Sequence, residues 1–223
     1  MTEEHQISPD VTMYVLKSRE DWLNHRARIG GSDAAAVIGR NPWMTNIELW
    51  ERKTHRVKAP DISGKPYVQY GHDAEPFLRA LFALDHPELK VGYVDNNLFV
   101  NKLYPFGHAS LDGWTTDQDG RMGVLEIKTT TIVQSMQKER WRDQIPENYF
   151  CQVLHYLLIT GFEYADLRAQ LKYESDRYFA AIKEYHIERA DVEEDIKYLA
   201  EAEKKFWQHV EEDKRPDLIL PEI

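Results

Sequence analysis

Cysteine is almost absent from this sequence, since Cys151 is the single one among 223 residues. One cysteine cannot form an internal disulfide, which excludes a small secreted scaffold built on disulfides and makes a reducing cytoplasm the expected location. We expect Cys151 to be a small buried hydrophobic residue. Long apolar runs are also missing, because none approaches the roughly 18 residues that a membrane helix needs. We therefore expect no membrane span and no signal peptide.

Internal repeats, low-complexity tracts and long Gly/Ser/Pro linkers are absent as well. We therefore predict a single domain over residues 1–223, with a motif-bearing core at about 18–185 and a C-terminal helix at about 187–212. A chain of this length can bury roughly 70% of its unfolded surface around one core.

The sequence also lacks a surplus of positive charge, since its net charge is −10. A coat protein that binds nucleic acid without specificity would be basic, so that class is disfavoured. An enzyme acting on DNA stays open, since carboxylates gathered around cations lower the formal charge and a local basic groove is enough to hold phosphates.

Helix signals dominate the first third of the chain. Ser18 predicts an N-cap for a helix that runs to about Ile29. Ser32 opens a short helix that Gly39 ends, and Thr45 caps a third one. Proline is tolerated in a first helical turn, so the Glu75-Pro76 pair predicts that a fourth helix starts close to Glu75.

The middle of the chain changes to strand periodicity. Residues 91–100, 107–115 and 123–130 alternate and are separated by turn residues, which predicts a β-meander. A helix at about 148–159 and two strands at about 164–173 and 178–185 follow, before the C-terminal helix. This order predicts an α/β fold with a mixed central β-sheet flanked by helices.

Two acids and one lysine stand at a spacing that suggests chemistry, D-x13-E-x-K. The strand period of two sends Glu126 and Lys128 to one face, and a hairpin near Asp119-Gly120 would bring Asp112 beside Glu126. Carboxylate oxygens suit hard cations, with the Ile127 carbonyl as a further ligand. Lys128 would orient or help deprotonate an attacking water, or stabilise charge on the phosphate. Alternatively, E-x-K is a common solvent-facing strand and Asp-Gly an everyday turn.

The ordered motifs resemble those of the YqaJ-type viral recombinases, a group that includes lambda exonuclease and belongs to the PD-(D/E)xK nuclease superfamily. The matching segments lie between Arg28 and Tyr156. They are R-I-G-G-S-D-A-A-A-V-I-G from Arg28, Y-G with E-P at 70–76, L-D-G at 111–113, L-E-I-K at 125–128, and Gln152-x3-Tyr156. Leu111 stands where the superfamily pattern has proline before the aspartate.

The resemblance implies a restriction-endonuclease-like core and a Mg²⁺-dependent exonuclease that degrades one strand of linear double-stranded DNA from 5′ to 3′. It implies two metal ions, with Mn²⁺ as a possible substitute, and a processive, ring-shaped homotrimer. The implied partner is a phage single-strand annealing protein that receives the exposed 3′ strand during recombination.

Residue roles are implied in the same way. Asp112, Glu126 and Lys128 would be catalytic, with Glu75 as a helix-borne acid near the metals. Arg28 and Ser32 match a pocket for the 5′-terminal phosphate, which a guanidinium fork and free N–H groups at a helix start would suit. Gln152 and Tyr156 would face the site or the DNA from one side of a helix.

Structural interpretations of these residues stay open. Glu75 would complement a helix dipole, Arg28 would lie at a helix C-terminus, and Ser32 would be an N-cap. Gln152 and Tyr156 would be polar residues at the edge of the core.

Other residues drew weaker hypotheses. His72 and His108 are expected to be structural, because a hard-cation site rarely uses imidazole. Trp43 would wedge against DNA. The basic cluster of Lys138, Arg140 and Arg142 would grip the DNA backbone or form a solvated loop.

Two alternative functions remain at this stage. A PD-(D/E)xK endonuclease of the restriction or repair type would share the metal site but need no DNA end. A non-catalytic DNA-end-binding protein would keep the fold without the chemistry.

Overall fold

The computed structural model describes residues 2–25, 27–133, 135–173 and 176–220. The strands are β1 (Glu3–Gln6), β2 (Val11–Val15), β3 (Lys90–Gly92), β4 (Asn97–Asn101), β5 (Gly113–Thr116), β6 (Met122–Ile132), β7 (Tyr164–Tyr173) and β8 (Asp176–Glu188). The helices are α1 (Arg19–Asn24), α2 (Gly31–Val37), α3 (Asn46–Lys53), α4 (Pro66–Asp85), α5 (Ser135–Glu139), α6 (Glu147–Thr160) and α7 (Glu193–Glu211). A 3-10 turn at Arg189–Val192 leads into α7.

Five strands form the central sheet in the order β3-β5-β6-β7-β8. The β6–β7 pair is parallel, while the other three pairs are antiparallel. A parallel pair needs a crossover connection, and α5 and α6 provide it between β6 and β7. The predicted α/β class with a mixed central sheet is confirmed. The strand predicted at 164–173 has the same bounds in the structure.

A second sheet of three antiparallel strands, in the order β1-β2-β4, was not predicted. It pairs Met13 of β2 with Phe99 of β4. The predicted meander is therefore wrong in its connectivity, because β4 lies outside the central sheet. Residues 107–112 also form no regular strand, apart from isolated bridges at Gly107 and Ala109. Periodicity predicts where a strand lies but carries no information about its partner.

Helix α4 begins ten residues earlier than predicted. Pro66 occupies its first turn, where a missing N–H costs nothing, and Pro76 lies inside the helix. The prediction of a start near Glu75 is wrong because both prolines fit a first turn, and the wrong one was chosen. Consequently Glu75 projects from the middle of a 20-residue helix rather than from its end.

The segment between α1 and α2 also differs from the prediction. Ser18 caps α1 as predicted, its hydroxyl accepting from the Asp21 N–H at 3.1 Å. However, α1 ends at Asn24, so Arg28 does not lie at a helix C-terminus and Ile29 instead bridges Gly107. Part of the predicted helix, Arg26, lies outside the described residues.

The residue that caps the start of α2 is a glycine and not the predicted serine. The N-cap is Gly30, not Ser32, which is the second helical residue. The Asp33 carboxylate accepts from the Gly30 N–H at 3.0 Å and so satisfies one of the free donors. Thr45 does cap α3, in a reciprocal arrangement with Glu48.

The core is centred on α6, which lies between the central sheet and helices α2 and α7. Every residue from Cys151 to Thr160 is buried. Cys151 is buried, as expected. Glycine at 161 ends the helix in the left-handed conformation, φ 68°. Within the described ranges, no helix has the length and apolar character needed to span a membrane.

Candidate active site at the end of the central sheet

Strand β6 separates its polar and apolar side chains by face. Glu126 and Lys128 point toward α6, where the Lys128 Nζ lies 2.5 Å from the Glu126 Oε1. Leu125 and Ile127 lie on the other face and pack with Leu78 and Phe82 of α4. The alternation follows from the strand period of two. Burial of Leu125 and Ile127 fixes the register, because a slip of one residue would bury the charged pair against α4.

Asp112 reaches this pair from the residue just before β5. In the antiparallel register Gly113 stands opposite Leu125, so Asp112 lies beside Glu126. The Asp112 Oδ2 accepts a hydrogen bond from the Ile127 N–H at 2.8 Å. The three heads of the D-x13-E-x-K pattern therefore converge, as the sequence predicts.

Gln152 of α6 makes hydrogen bonds to both charged residues of β6. We call Asp112, Glu126 and Lys128 the charged centre, or simply the centre. Its Nε2 donates to the Glu126 Oε1 and to the Tyr156 hydroxyl, both at 2.8 Å. Its Oε1 accepts from the Lys128 Nζ at 3.0 Å. The Q-x3-Y pair thus faces the charged centre from one side of α6, since residues four apart share a helix face.

Both carboxyl groups have pKa values above their ordinary range. Burial, followed by the neighbouring charge of Asp112, raises the pKa of Glu126 to about 8, against the pull of Lys128. Burial also raises the pKa of Asp112, although Lys128 and the Ile127 N–H oppose that shift. Two adjacent carboxylates in a dry site need a positive charge beyond one ammonium to remain ionised together.

Lys128 keeps its proton in this surrounding. Burial alone would lower the pKa of its ammonium, but Glu126 and Asp112 outweigh burial and raise it. The ammonium also lies 4.9 Å from the ring centre of Tyr149, one turn before Gln152 on α6. A cation over an aromatic face is stabilised by the ring quadrupole. Sequence reasoning did not single out Tyr149, although its spacing of three from Gln152 indicates the same helix face.

Glu75 approaches from the opposite face of the sheet. It lies on α4, on the side of β6 that carries Leu125 and Ile127, and is linked to Asp112 through Arg79. Burial first, and the charge of Asp112 second, raise the pKa of its carboxyl. Arg79 donates to the Glu75 Oε1 at 3.0 Å.

Arg79 is a residue that sequence reasoning missed. Besides Glu75, its Nη1 contacts the main-chain carbonyl of Asp112, and its guanidinium stacks 3.4 Å from the ring centre of Tyr93. It therefore joins α4 to the segment that carries Asp112. The available signal was the spacing of four between Glu75 and Arg79, which predicts an ion pair on a helix.

The segment with Arg28 and Ser32 adjoins the centre through Gly31. A β-carbon at Gly31 would lie 2.5 Å from the ring of Tyr156 and 2.9 Å from the side chain of Gln152, so only glycine permits this close approach. The side chains of Arg28 and Ser32 are exposed beside this contact.

Lys53 of α3 fixes the same segment and was also missed. Its ammonium donates to the Arg28 carbonyl and contacts the Asp33 carboxylate, each at 2.7 Å. Ser32 does not cap α2, as described above.

The donors available for a metal ion are few. Over residues 2–25, 27–133, 135–173 and 176–220, no group of three or more His, Cys, Asp or Glu side chains is arranged to hold a metal. The centre supplies two carboxylates, and the Glu126 Oε2 is buried without a hydrogen-bond partner. The Ile127 carbonyl points to the same strand edge as its N–H, toward Asp112. Such a set suits Mg²⁺, which takes one or two carboxylates and completes its shell with water and substrate phosphates.

The remaining candidates lie apart from the centre. His108 is buried, and its ring packs over Gly30. His72 is an exposed residue of α4. Trp43 follows α2 with 72% of its surface exposed. Arg140 and Arg142 are exposed near the start of α6.

A mixed sheet whose antiparallel β5–β6 hairpin presents an aspartate, a glutamate and a lysine at one point defines the PD-(D/E)xK fold class. The sequence profile of the YqaJ-like viral recombinase domain matches residues 21–163. The chain belongs to this family. It is 32% identical over 195 residues to the protein YqaJ of Bacillus subtilis strain 168, which covers 85% of the chain and 56% of the relative. The chain thus spans about half the length of the curated relative that it matches.

Solved structures share the fold. The alkaline exonuclease LHK-Exo of Laribacter hongkongensis superposes with a TM-score of 0.66 and 19% identity, over 87% of this chain and 93% of that one. A phage-related exonuclease of Haemophilus somnus superposes with a TM-score of 0.56 and 14% identity, over 83% and 96%. At these identities the likeness concerns the fold, and it agrees with the predicted restriction-endonuclease-like core.

Proposed function

We propose that this protein is a metal-dependent deoxyribonuclease that hydrolyses phosphodiester bonds at Asp112, Glu126 and Lys128. The observation that carries the proposal is the buried, unpartnered Glu126 Oε2 beside the Asp112 carboxylate. Leaving a buried carboxylate oxygen unpaired is costly, and a cation would satisfy it. Membership of a viral recombinase family supports the same reading.

Magnesium is the proposed cofactor, held by Asp112, Glu126 and the Ile127 carbonyl. Two ions are expected, with Mn²⁺ able to substitute, because the oxygen donors suit hard cations. When bound, the metal would lower the pKa of a water and neutralise charge developing on the phosphate.

The chain's own residues would prepare the site for this chemistry. The Ile127 N–H orients the Asp112 carboxylate, and Gln152 orients both Glu126 and Lys128. Lys128, held by Gln152 and Glu126, would orient or help deprotonate the attacking water, or stabilise charge on the phosphate. Glu75 would act from the side of Asp112, whose charge raises the pKa of the Glu75 carboxyl.

We further propose that the enzyme is an exonuclease that starts at 5′ ends of linear double-stranded DNA. Arg28 and Ser32 would hold the 5′-terminal phosphate, as a guanidinium and an exposed hydroxyl near a helix start can do. The contact of Gly31 with Gln152 and Tyr156 supports this arrangement, because it keeps that segment next to the cleavage centre.

The remaining parts of the proposal rest on the family resemblance. They are processive action as a ring-shaped homotrimer, delivery of the 3′ strand to a phage single-strand annealing protein, and a location in the cytoplasm of the host cell. The structure contains a single chain, so the ring is tested by measuring the mass of the assembly in solution. A monomer by light scattering at working concentration would contradict the ring.

The decisive experiment is digestion of a linear duplex labelled separately at each end, with and without a 5′ phosphate, in Mg²⁺ and in EDTA. We expect loss of the 5′ label as mononucleotides, only with metal, and faster on phosphorylated ends. Covalently closed plasmid serves as the control and should stay intact. Nicking of the plasmid would indicate an endonuclease instead, and binding without hydrolysis on every substrate would indicate an end-binding protein.

A further inference from the structure

A cavity of about 350 Å³ opens where α6 begins. It is lined by Arg40, Pro42, Arg140, Gln144, Ile145, Pro146, Glu147 and Asn148. We call it the Arg40–Arg140 cavity. Its charged residues are two arginines and one glutamate, so it is locally basic in a chain whose net charge is −10. The exposed ring of Trp43 directly follows Pro42 at its rim.

Both arginines can contact an anion in this cavity. The guanidinium of Arg140 has no hydrogen bond or ion pair with another residue of the described ranges. Arg40 faces both carboxylate oxygens of Glu147 at 3.3 Å, a long ion pair between exposed side chains. Such a pair contributes little free energy of its own, so the Arg40 guanidinium can also donate to a phosphate in the cavity.

The cavity lies in line with the cleavage centre. Helix α2 runs beside α6, with Gly31 at Gln152 and Tyr156 and with Arg40, just past its other end, at Glu147. Glu126 and Lys128 contact α6 at Gln152, the same residue that Gly31 packs against, five residues from Glu147. At 1.5 Å per residue, Glu147 and Gln152 are about 7.5 Å apart along the helix, so one DNA strand can reach both the centre and the cavity.

We propose that the Arg40–Arg140 cavity binds backbone phosphates of the strand being degraded, on the 3′ side of the bond that is cut. This rests on the proposed function, which puts the 5′ end at Arg28 and Ser32, next to the centre through Gly31. The strand would therefore run from Ser32 past Glu126 to Arg140. Trp43 offers a face for stacking of a base at the rim.

The first test measures how salt weakens binding to a 5′-phosphorylated duplex, by fluorescence anisotropy in EDTA so that no hydrolysis occurs. Each lost phosphate contact lowers the slope of log K against log salt by about 0.9. We expect Arg140→Ala to lose about one contact, so that the advantage of the wild type shrinks about 3.5-fold between roughly 50 and 200 mM salt. Arg140→Lys should keep the slope.

Arg121→Ala is the matched control, since Arg121 lies in the turn between β5 and β6, pairs with Asp117 and Glu188, and does not line the cavity. It should bind with the wild-type slope. A wild-type slope for Arg140→Ala, or an equal loss in Arg121→Ala, would overturn the proposal. Because binding is measured without metal, the result is independent of whether the wild type hydrolyses DNA.

The second test locates the contact along the strand. Duplexes carry one neutral methylphosphonate at successive linkages, and the loss for each is compared between the wild type and Arg140→Ala. We expect a non-additive effect at one or two internal linkages near the 5′ end, because the variant has already lost that contact. Additive losses at every linkage, or coupling only on the opposite strand, would refute the assignment.

Discussion

Helix α6 carries two buried charged clusters that resemble each other in composition but differ in access. Gln152 connects to Glu126 and Lys128, and three residues later His155 pairs with Glu203 of α7 at 2.8 Å. In both clusters one carboxylate oxygen is buried without a hydrogen-bond partner. The side chains of His155 and Glu203 have no exposed surface, whereas 19% of the Lys128 side chain is exposed.

The difference separates an ion pair that is closed to ligands from one that a ligand can reach. His155 also contacts the His108 carbonyl at 2.9 Å, so its cluster ties α6 to α7 and to the chain before β5. Burial lowers the pKa of His155, but the charge and hydrogen bond of Glu203 more than compensate and raise it. A buried carboxylate alone is therefore no sign of function; it must also be reachable by a ligand.

The largest expected effect is on catalysis at the accessible cluster. Asp112→Asn removes a charge that a metal would need, and several kcal/mol of lost stabilisation corresponds to a rate loss on the order of 10³-fold. Asp119→Asn, in the exposed turn of the same hairpin, should keep full activity. Digestion of labelled duplex measures both. An active Asp112→Asn enzyme would remove the basis for the proposed site.

The inaccessible cluster should respond in stability instead. Glu203→Ala leaves His155 without its counter-charge and should cost about 3–5 kcal/mol of unfolding free energy, measured in urea. Activity per folded molecule should stay at the wild-type level. A specific loss of activity without loss of stability would mean that the two clusters are not separate in function.

Gln152 should give an intermediate effect on rate. Gln152→Leu keeps a side chain of similar size on α6 but removes the hydrogen bonds that orient Glu126 and Lys128. Loss of such a supporting contact lowers metal affinity or activity by about 10–100-fold. Isothermal titration with Mn²⁺ and the digestion rate should both report it, with the exposed Gln118→Leu as the control. Unchanged metal affinity together with unchanged rate would contradict the role.

A further effect is a change of stability with pH in the metal-free protein. The pKa of Glu126 rises from 4.5 to about 8 on folding, so its contribution is complete below 4.5 and is lost as pH rises through about 8. The metal-free protein should therefore lose stability steadily as the pH rises through this window. Glu126→Gln, and saturating Mg²⁺ with the wild type, should flatten the profile. Equal slopes in all three would argue against the raised pKa.

Much of the candidate site was predictable because its geometry is local. The alternation of β6 fixes the faces of Glu126 and Lys128, and one short hairpin returns Asp112 to them. The spacing of four places Gln152 and Tyr156 on one helix face. Each of these relations depends on residues close together in the sequence.

What could not be predicted depends on distant parts of the chain. The partner of β2 is β4, more than 80 residues away, and no periodicity encodes it. The role of Arg79 required knowing that α4 packs beside Asp112, and that of Lys53 required the contact of α3 with residues 28–33. The start of α4 was missed for another reason, since Pro66 and Pro76 both satisfy the same local rule.

No side chain separates the Gly31 backbone from the Tyr156 ring, so the distance between these two parts of the protein cannot adjust. The segment proposed to hold the strand end and the residues proposed to cut it therefore stand at one invariant spacing. Because this distance is fixed, the proposed enzyme would release a product of the same length at every step along the DNA.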